Sequence, residues 1–182
     1  NAMTRALVNQ GYLDAVVTHT VEERKRKVTV TYHANRKQAH RINKIAYMVE
    51  DPLLEPLIMA DAPNSGLKKG MRLDRTELEN ERTRLTSLMR DSGFYDFNKE
   101  NISFIADTVE RDKRVDMTMI VNGIHNRYII RNVSFIPDYD LATGQRMGKA
   151  NYLRSKILLE NCYIQPGDLY SESAVRKTYR AF

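Results

Sequence analysis

Residues 69–95 read KGMRLDRTELENERTRLTSLMRDSGFY, a helix with its start and stop signals written around it. Asp74 stands where a helix begins, and Glu77 three residues later makes an acidic version of the capping box. Leu78, Leu85, Leu88 and Met89 fall on one side of the helix, leaving Arg75, Glu79, Arg82 and Asp91 free to face water. Gly93 supplies the C-cap, where left-handed backbone costs a glycine least. The stripe is narrow, so one face packs and the other stays wet.

Working outward, Arg41 to Val49 reads as a strand before this helix. Asp51-Pro52 then opens a short helix, since Asp caps and Pro fits a first helical turn. Pro63-Asn64-Ser65-Gly66 ends it. After the long helix, Ile102 to Val109 and Val115 to Met119 read as two strands of a hairpin around Arg111-Asp112-Lys113. The order is β-α-α-β-β, an α+β unit.

The unit recurs. Val28-Thr29-Val30-Thr31-Tyr32 alternates in the manner of Val115-Asp116-Met117-Thr118-Met119, and Val16 to Val21 precedes it as Ile102 to Val109 precedes the other. Ile42, Ile45 and Tyr47 correspond to Ile130, Val133 and Phe135, which predicts a further strand over Ile129 to Ile136. Leu7 to Tyr12 matches Met89 to Phe94, and Lys69 to Asp74 parallels Pro166 to Ser171. An internal repeat accounts for all of these matches, with an insertion around Tyr139 to Lys149.

Composition sets outer limits. The 182 residues, 42% hydrophobic and 29% charged, are those of a folded domain or two small ones. The apolar stretches are too short for a membrane helix. The first residues show no charged region leading into an apolar core, and Asn1-Ala2 before Met3 reads as the scar of a removed tag. We therefore expect a piece of a longer protein. Cys162 is the single cysteine and follows Ile157, Leu158 and Leu159, so a packed thiol is expected.

The net charge of +6 is diffuse. Its densest run, Glu22 to Lys27, lies between two strands and reads as a solvated hairpin tip; an anionic lipid surface is a second partner such charge would suit. A nucleic-acid-binding sheet would set aromatics among Lys and Arg, whereas Tyr47, Phe104 and Phe135 sit among apolar neighbours. His19, His33, His40 and His125 have no recurring acidic or cysteine partner, so no metal or cofactor is expected. Asp138-Tyr139-Asp140 with Thr143-Gly144 has the wrong spacing for a calcium loop. Asp107 and Asp116 read as strand residues, not as an acid–base pair.

The step Gly70-Met71-Arg72-Leu73-Asp74 into the helix, and Arg90-Asp91-Ser92-Gly93-Phe94-Tyr95 at its end, resemble a polypeptide-transport-associated (POTRA) repeat. Ile102-Ser103-Phe104-Ile105-Ala106-Asp107 resembles that family's following strand, and Ile164-Gln165-Pro166-Gly167-Asp168 its "hydrophobic-x-x-Gly-Asp" step. Met71 departs from the family's usual Asp. On this resemblance residues 4–35 are the C-terminal half of one repeat, 38–122 a complete repeat, and 126–182 the N-terminal half of another. Each complete unit would hold a three-stranded mixed sheet with two helices on one face. The resemblance implies the periplasmic arm of a BamA- or TamA-like (surface antigen D15-type) outer-membrane assembly factor. Its partners would be unfolded outer-membrane proteins and accessory assembly subunits, and it would not be an enzyme. The POTRA arm of a secretion partner or of a cell-division protein, and a basic nucleic-acid-binding α+β domain, are the alternatives.

In a β-α-α-β-β unit, strand one adds most simply to the far side of strand three, leaving strand two as an edge open to β-strand addition. Here that edge is Ile102, Ser103, Phe104, Ile105, Ala106, Asp107, Thr108 and Val109. Ile102, Phe104 and Ala106 share one face, and Ser103, Ile105 and Asp107 the other. Ile105 either meets a client there or packs beneath a neighbouring repeat. The half repeats are expected either to be poorly ordered or to complement each other between molecules.

Overall fold

Val115, Met117, Met119 and Val121 alternate along one strand and all four are buried. A strand with one face so deeply covered lines the core of its sheet. In a computed structural model of the chain this strand, β5 (Arg114–Val121), lies between β3 (Arg41–Val49) and β4 (Ile102–Val109). β3 runs parallel to β5 and β4 antiparallel, so the order is β3-β5-β4. The structure describes residues 2–109, 113–136, 139–140, 142–143, 145–146 and 155–182. They fall into two compact units, Asn1–Leu85 with Asn98–Ile124, and Thr86–Phe97 with His125–Phe182.

α2 (Glu55–Asp61) and α3 (Arg75–Asp91), the latter belonging to the first unit as far as Leu85, intervene between β3 and β4. Leu78 of α3, with Met71 and Leu73 just before it, packs on the cluster of Ile42, Leu67 and Met117. Met48 on the other face of β3 is exposed, so the sheet is covered on one side only. A register shift between Ile42 and Lys44 leaves Asn43 as the extra residue of a bulge; its amide donates to Asp116 Oδ1 at 2.8 Å. α1 (Ala2–Asn9) and a hairpin of β1 (Val16–Arg24) and β2 (Lys27–Asn35) complete this unit.

A buried ionic network ties the loop after α2 to α3. Glu81, only 3% exposed, accepts from the Gly66 N–H at 3.0 Å and from Arg84 at 2.8 and 3.0 Å; Arg84 also pairs with Asp61. Burial pushes the Glu81 carboxyl up, but Arg84, the Gly66 N–H and Ser65 together outweigh it and hold the carboxyl below its ordinary value.

The second unit contains α4 (Ser155–Glu160), α5 (Glu172–Ala181) and a short pair, β6 (Tyr139–Asp140) with β7 (Gln145–Arg146). Ser171 caps α5 through the Ala174 N–H, and Asp91 accepts from the Ser173 N–H at 2.8 Å. Cys162 is half-buried, its Sγ 3.0 Å from the Ile164 carbonyl.

The same joint is built in each unit. At Gly11 the Tyr12 N–H bonds the Leu7 carbonyl at 3.0 Å, and at Gly93 the Phe94 N–H bonds the Met89 carbonyl at 3.1 Å. Both are helix ends of the Schellman type, with φ of +86° and +101°. The glycine carbonyl then accepts from a residue about 30 positions further on, His40 N–H in one case and Tyr128 N–H in the other, each at 2.8 Å. The carbonyls of His40 and Tyr128 accept from Leu73 and Tyr170, and those of Ile42 and Ile130 from Gly70 and Gly167. Single bridges, Arg41 to Arg72 and Ile129 to Leu169, mark the same place. The matches seen in sequence are therefore matches of hydrogen bonding.

Four expectations need correction. Residues 129–136 do not form a strand; among the described residues their bridge is Ile129 to Leu169. A strand needs a ladder, and among the described residues none takes beside them the place that β5 takes beside β3. The first helix begins at Glu55, after a turn in which Asp51 accepts from the Leu53 N–H at 2.8 Å. Arg82 does not simply face water: its guanidinium lies over the Phe104 ring, 5.6 Å from the centroid. The charged run is not all turn, since Glu22 to Arg24 belong to β1 and only Lys25 and Arg26 bridge to β2. Arg111 and Asp112 of the expected hairpin tip, and most of the insertion with its calcium-like pattern, lie outside the described residues.

Two predictions follow from the packing. A Cβ at Gly11 would lie 2.4 Å from the Leu73 carbonyl oxygen, whereas one at Gly70 meets nothing within 4 Å. Gly70→Ala should cost only backbone strain, about 1–2 kcal/mol, and Gly11→Ala about 3 kcal/mol or more, by urea denaturation. Because the folded state depresses the Glu81 carboxyl, its stabilisation is present above the ordinary value of 4.5 and is lost as pH falls through the lower folded value. Stability should drop on acidification below about pH 4.5, and Glu81→Gln should flatten that dependence while costing about 2 kcal/mol at pH 7.

Candidate functional site: an open sheet edge

Because β5 occupies the middle of the sheet, both β3 and β4 are edges. They are not equally open. The start of β3 is covered by the loop before α3, through the Arg41–Arg72 bridge and the bonds between Ile42 and both Gly70 and Met71. No described strand or bridge pairs with β4 on its outer side.

The ladder says which groups that edge offers. The Asn122 N–H donates to the Asn101 carbonyl, so Asn101 and Asn122 are a hydrogen-bonded pair. The register runs from there without a shift, so Ser103, Ile105, Asp107 and Val109 bond β5. The main chains of Phe104, Ala106 and Thr108 therefore point outward, donor and acceptor alike. Ile102 adds its carbonyl, its N–H being taken by Lys99. Proteins usually blunt such an edge with proline, a bulge or several charges. β4 has neither proline nor bulge, and Asp107 is its only charge.

Ile102 is buried and Phe104 packs partly against the core, whereas Ala106 and Thr108 are exposed. On the other face Ser103 is half-buried, Asp107 exposed, and Ile105 51% exposed. Ile105 therefore stands open. Asp107 lies opposite Asp116, whose carboxyl is held low by hydrogen bonds from Asn43 and Lys44. Asp116 thus stays ionised, as a strand residue with its own cation at 3.0 Å.

Beside this edge an open groove of about 290 Å³ runs between β4 and α3. Leu73, Leu78, Phe104 and Val8 supply its apolar floor, while Glu79 and Arg82, paired at 3.0 Å, form a rim. Arg82 Nε is buried without an acceptor. The groove was missed in the sequence because Glu79 and Arg82 read as water-facing. The available signal was their spacing beside Leu78, which puts all three on adjoining parts of the helix surface. Among the described residues no three His, Cys, Asp or Glu side chains gather as metal ligands, and no helix is long and apolar enough to cross a membrane. What the site offers is main-chain hydrogen bonding beside an apolar trough.

No family model matches the chain, and no curated protein does. Among solved structures, the chain is similar to Haemophilus influenzae BamA POTRA3-5 over 97% of its length, with 17% identity and a TM-score of 0.52. It spans 63% of that structure. Weaker matches cover 70% of the chain each: Haemophilus ducreyi BamA lacking POTRA domains 1–3 (16% identity, TM-score 0.40, 22% of that chain) and the N-terminal domain of Omp85 from Thermosynechococcus elongatus (14%, 0.38, 50%). The chain has the POTRA fold: a three-stranded mixed sheet with two helices on one face.

The ladder parity makes a test of geometry. Ala106→Pro removes an outward N–H and should cost under about 1 kcal/mol. Ile105→Pro removes a ladder bond and should cost about 3 kcal/mol or more in the same urea titration.

Proposed function

We propose that this chain is a periplasmic POTRA scaffold of an outer-membrane assembly factor, binding unfolded outer-membrane protein precursors by β-strand addition at β4. The observation that carries this reading is the unprotected edge of Ile102 to Val109 beside the groove. Main-chain pairing tolerates many sequences, which suits a handler of diverse clients. Every second side chain of an added strand would turn toward the apolar trough of Leu73, Leu78 and Phe104, while its neighbours face water. Barrel strands alternate in that way. On this reading the site binds through main-chain groups and an apolar trough, and the role is that of a scaffold rather than an enzyme.

On this reading the repeats are 4–35, 38–122 and 126–182, and the recurring glycine joint supports the division. Accessory assembly subunits would dock on the same array, and a membrane barrel would receive the client from it.

Photo-crosslinkers at Ile105 and Asp107 should capture an unfolded barrel precursor, and one at exposed Asn80 on α3 should not. Ala106→Pro should lower capture at Ile105 by about tenfold, the loss of roughly one to two hydrogen bonds. Equal capture at all three positions, or capture untouched by Ala106→Pro, would count against the reading.

A further inference from the structure

The start of β3 brings like charges together. Arg41 is the ladder partner of Arg114 on β5 and bridges to Arg72 on its other side, so three arginines stand in a row across adjacent segments. Like charges directly opposite one another on a sheet are destabilising. Arg72 has its own anion, Asp74 at 3.0 Å. Arg41 does not. Its guanidinium donates to the neutral Gly70 carbonyl at 2.9 Å, and among the described residues no carboxylate pairs with it.

A groove of about 300 Å³ opens at this place. Arg41, Lys69, Lys113 and Arg114 line it, with Gln38 and Asn43 as neutral polar groups, and no acidic side chain does so among the described residues. The acids nearby are already engaged: Asp14 holds Lys113 at 2.7 Å, and Asp116 accepts from Asn43 at 2.8 Å and pairs with Lys44 at 3.0 Å. Lys69 is exposed and, like Arg41, has no anionic partner among the described residues. The groove is unobstructed at Gly70, where a Cβ would meet nothing within 4 Å. Its walls come from the starts of β3 and β5 and the loop before α3, in the part of the chain that holds all three strands of its sheet and both helices.

We propose that this groove binds a phosphate-bearing anion, whose oxygens accept from the Arg41 guanidinium and the Lys69 ammonium. A cleft lined by one sign of charge concentrates its counter-ion. A single carboxylate would answer one cation and leave the others facing each other. A phosphate carries more charge and more acceptor oxygens, which cations converging from three segments can share, and a guanidinium meets it with two parallel bonds. Bound there, it would also relieve the repulsion between Arg41 and Arg114. The site uses none of the outward main chain of β4, so it stands or falls apart from the strand-addition reading.

Calorimetric titration with pyrophosphate tests it. Arg41→Gln and Lys69→Gln should each weaken binding by about tenfold, the loss of one charge-assisted hydrogen bond. Lys69 is exposed, so its variant keeps the test open should Arg41→Gln disturb the fold. Arg26→Gln removes the same charge from the far tip of the β1–β2 hairpin and should change binding by less than about twofold, because salt screens distant charges. No binding of pyrophosphate, or equal weakening by Arg26→Gln, would overturn the site. So would an oligoglutamate peptide that binds more tightly than pyrophosphate and is weakened by Lys69→Gln, since the ligand would then be an acidic chain. Co-sedimentation with phosphatidylglycerol vesicles separates two sources of the phosphate. Retention that falls about fivefold with Lys69→Gln assigns it to a lipid headgroup. Retention that is absent or indifferent to Lys69→Gln, with pyrophosphate still bound, assigns it to a soluble phosphate compound.

Discussion

The parallel ladder between β3 and β5 is the constraint from which the rest of the middle sheet follows. A parallel return needs a crossover, and α2 with α3 supply it, covering the one face on which Val115, Met117, Met119 and Val121 lie. With β3 on one side of β5, the hairpin partner β4 is left on the other. The open edge is thus a consequence of topology, not an added feature. What is particular to this chain is that β4 does little to protect it, while the rival edge of β3 is covered at its start.

The recurring joint shows how a second constraint is met. α1 and α3 each end at a left-handed glycine, Gly11 or Gly93, whose carbonyl receives an N–H from further along the chain, that of His40 or Tyr128. Side chains around the two joints differ in part: Tyr12 lies under Arg36 and Arg72 and its counterpart Phe94 under Arg127, while Tyr95 packs edge-on to Tyr128 and Tyr170 in the second joint. The main-chain bonds do not differ. Keeping the backbone while varying the surroundings lets the two joints carry different surfaces on one geometry.

Much of this was legible in the residues. The limits of β3 and β4, the helix over Arg75–Asp91 and the C-cap at Gly93 followed from alternation and punctuation, which are local signals. Residues 129–136 misled because their pattern is that of a strand, whereas a strand exists only with a partner. Arg82 misled for a related reason: periodicity places a residue on a helix but does not know that Phe104 stands across from it. The edge of β4 was visible as a topological inference; the groove beside it, built by α1, α3 and β4 together, was not. Glu81 was equally hidden, since a lone Glu in a charged helix gives no sign that Arg84 and the Gly66 N–H will enclose it.

The central claim is that an extended client pairs with the outward main chain of β4, and amide exchange reads this residue by residue. In the free chain the amides of Ser103, Ile105 and Asp107 should be protected by β5, and those of Phe104, Ala106 and Thr108 should exchange freely. Adding an unfolded barrel precursor should protect these last three selectively. Binding that leaves Phe104, Ala106 and Thr108 in fast exchange, with protection arising elsewhere, would contradict the account.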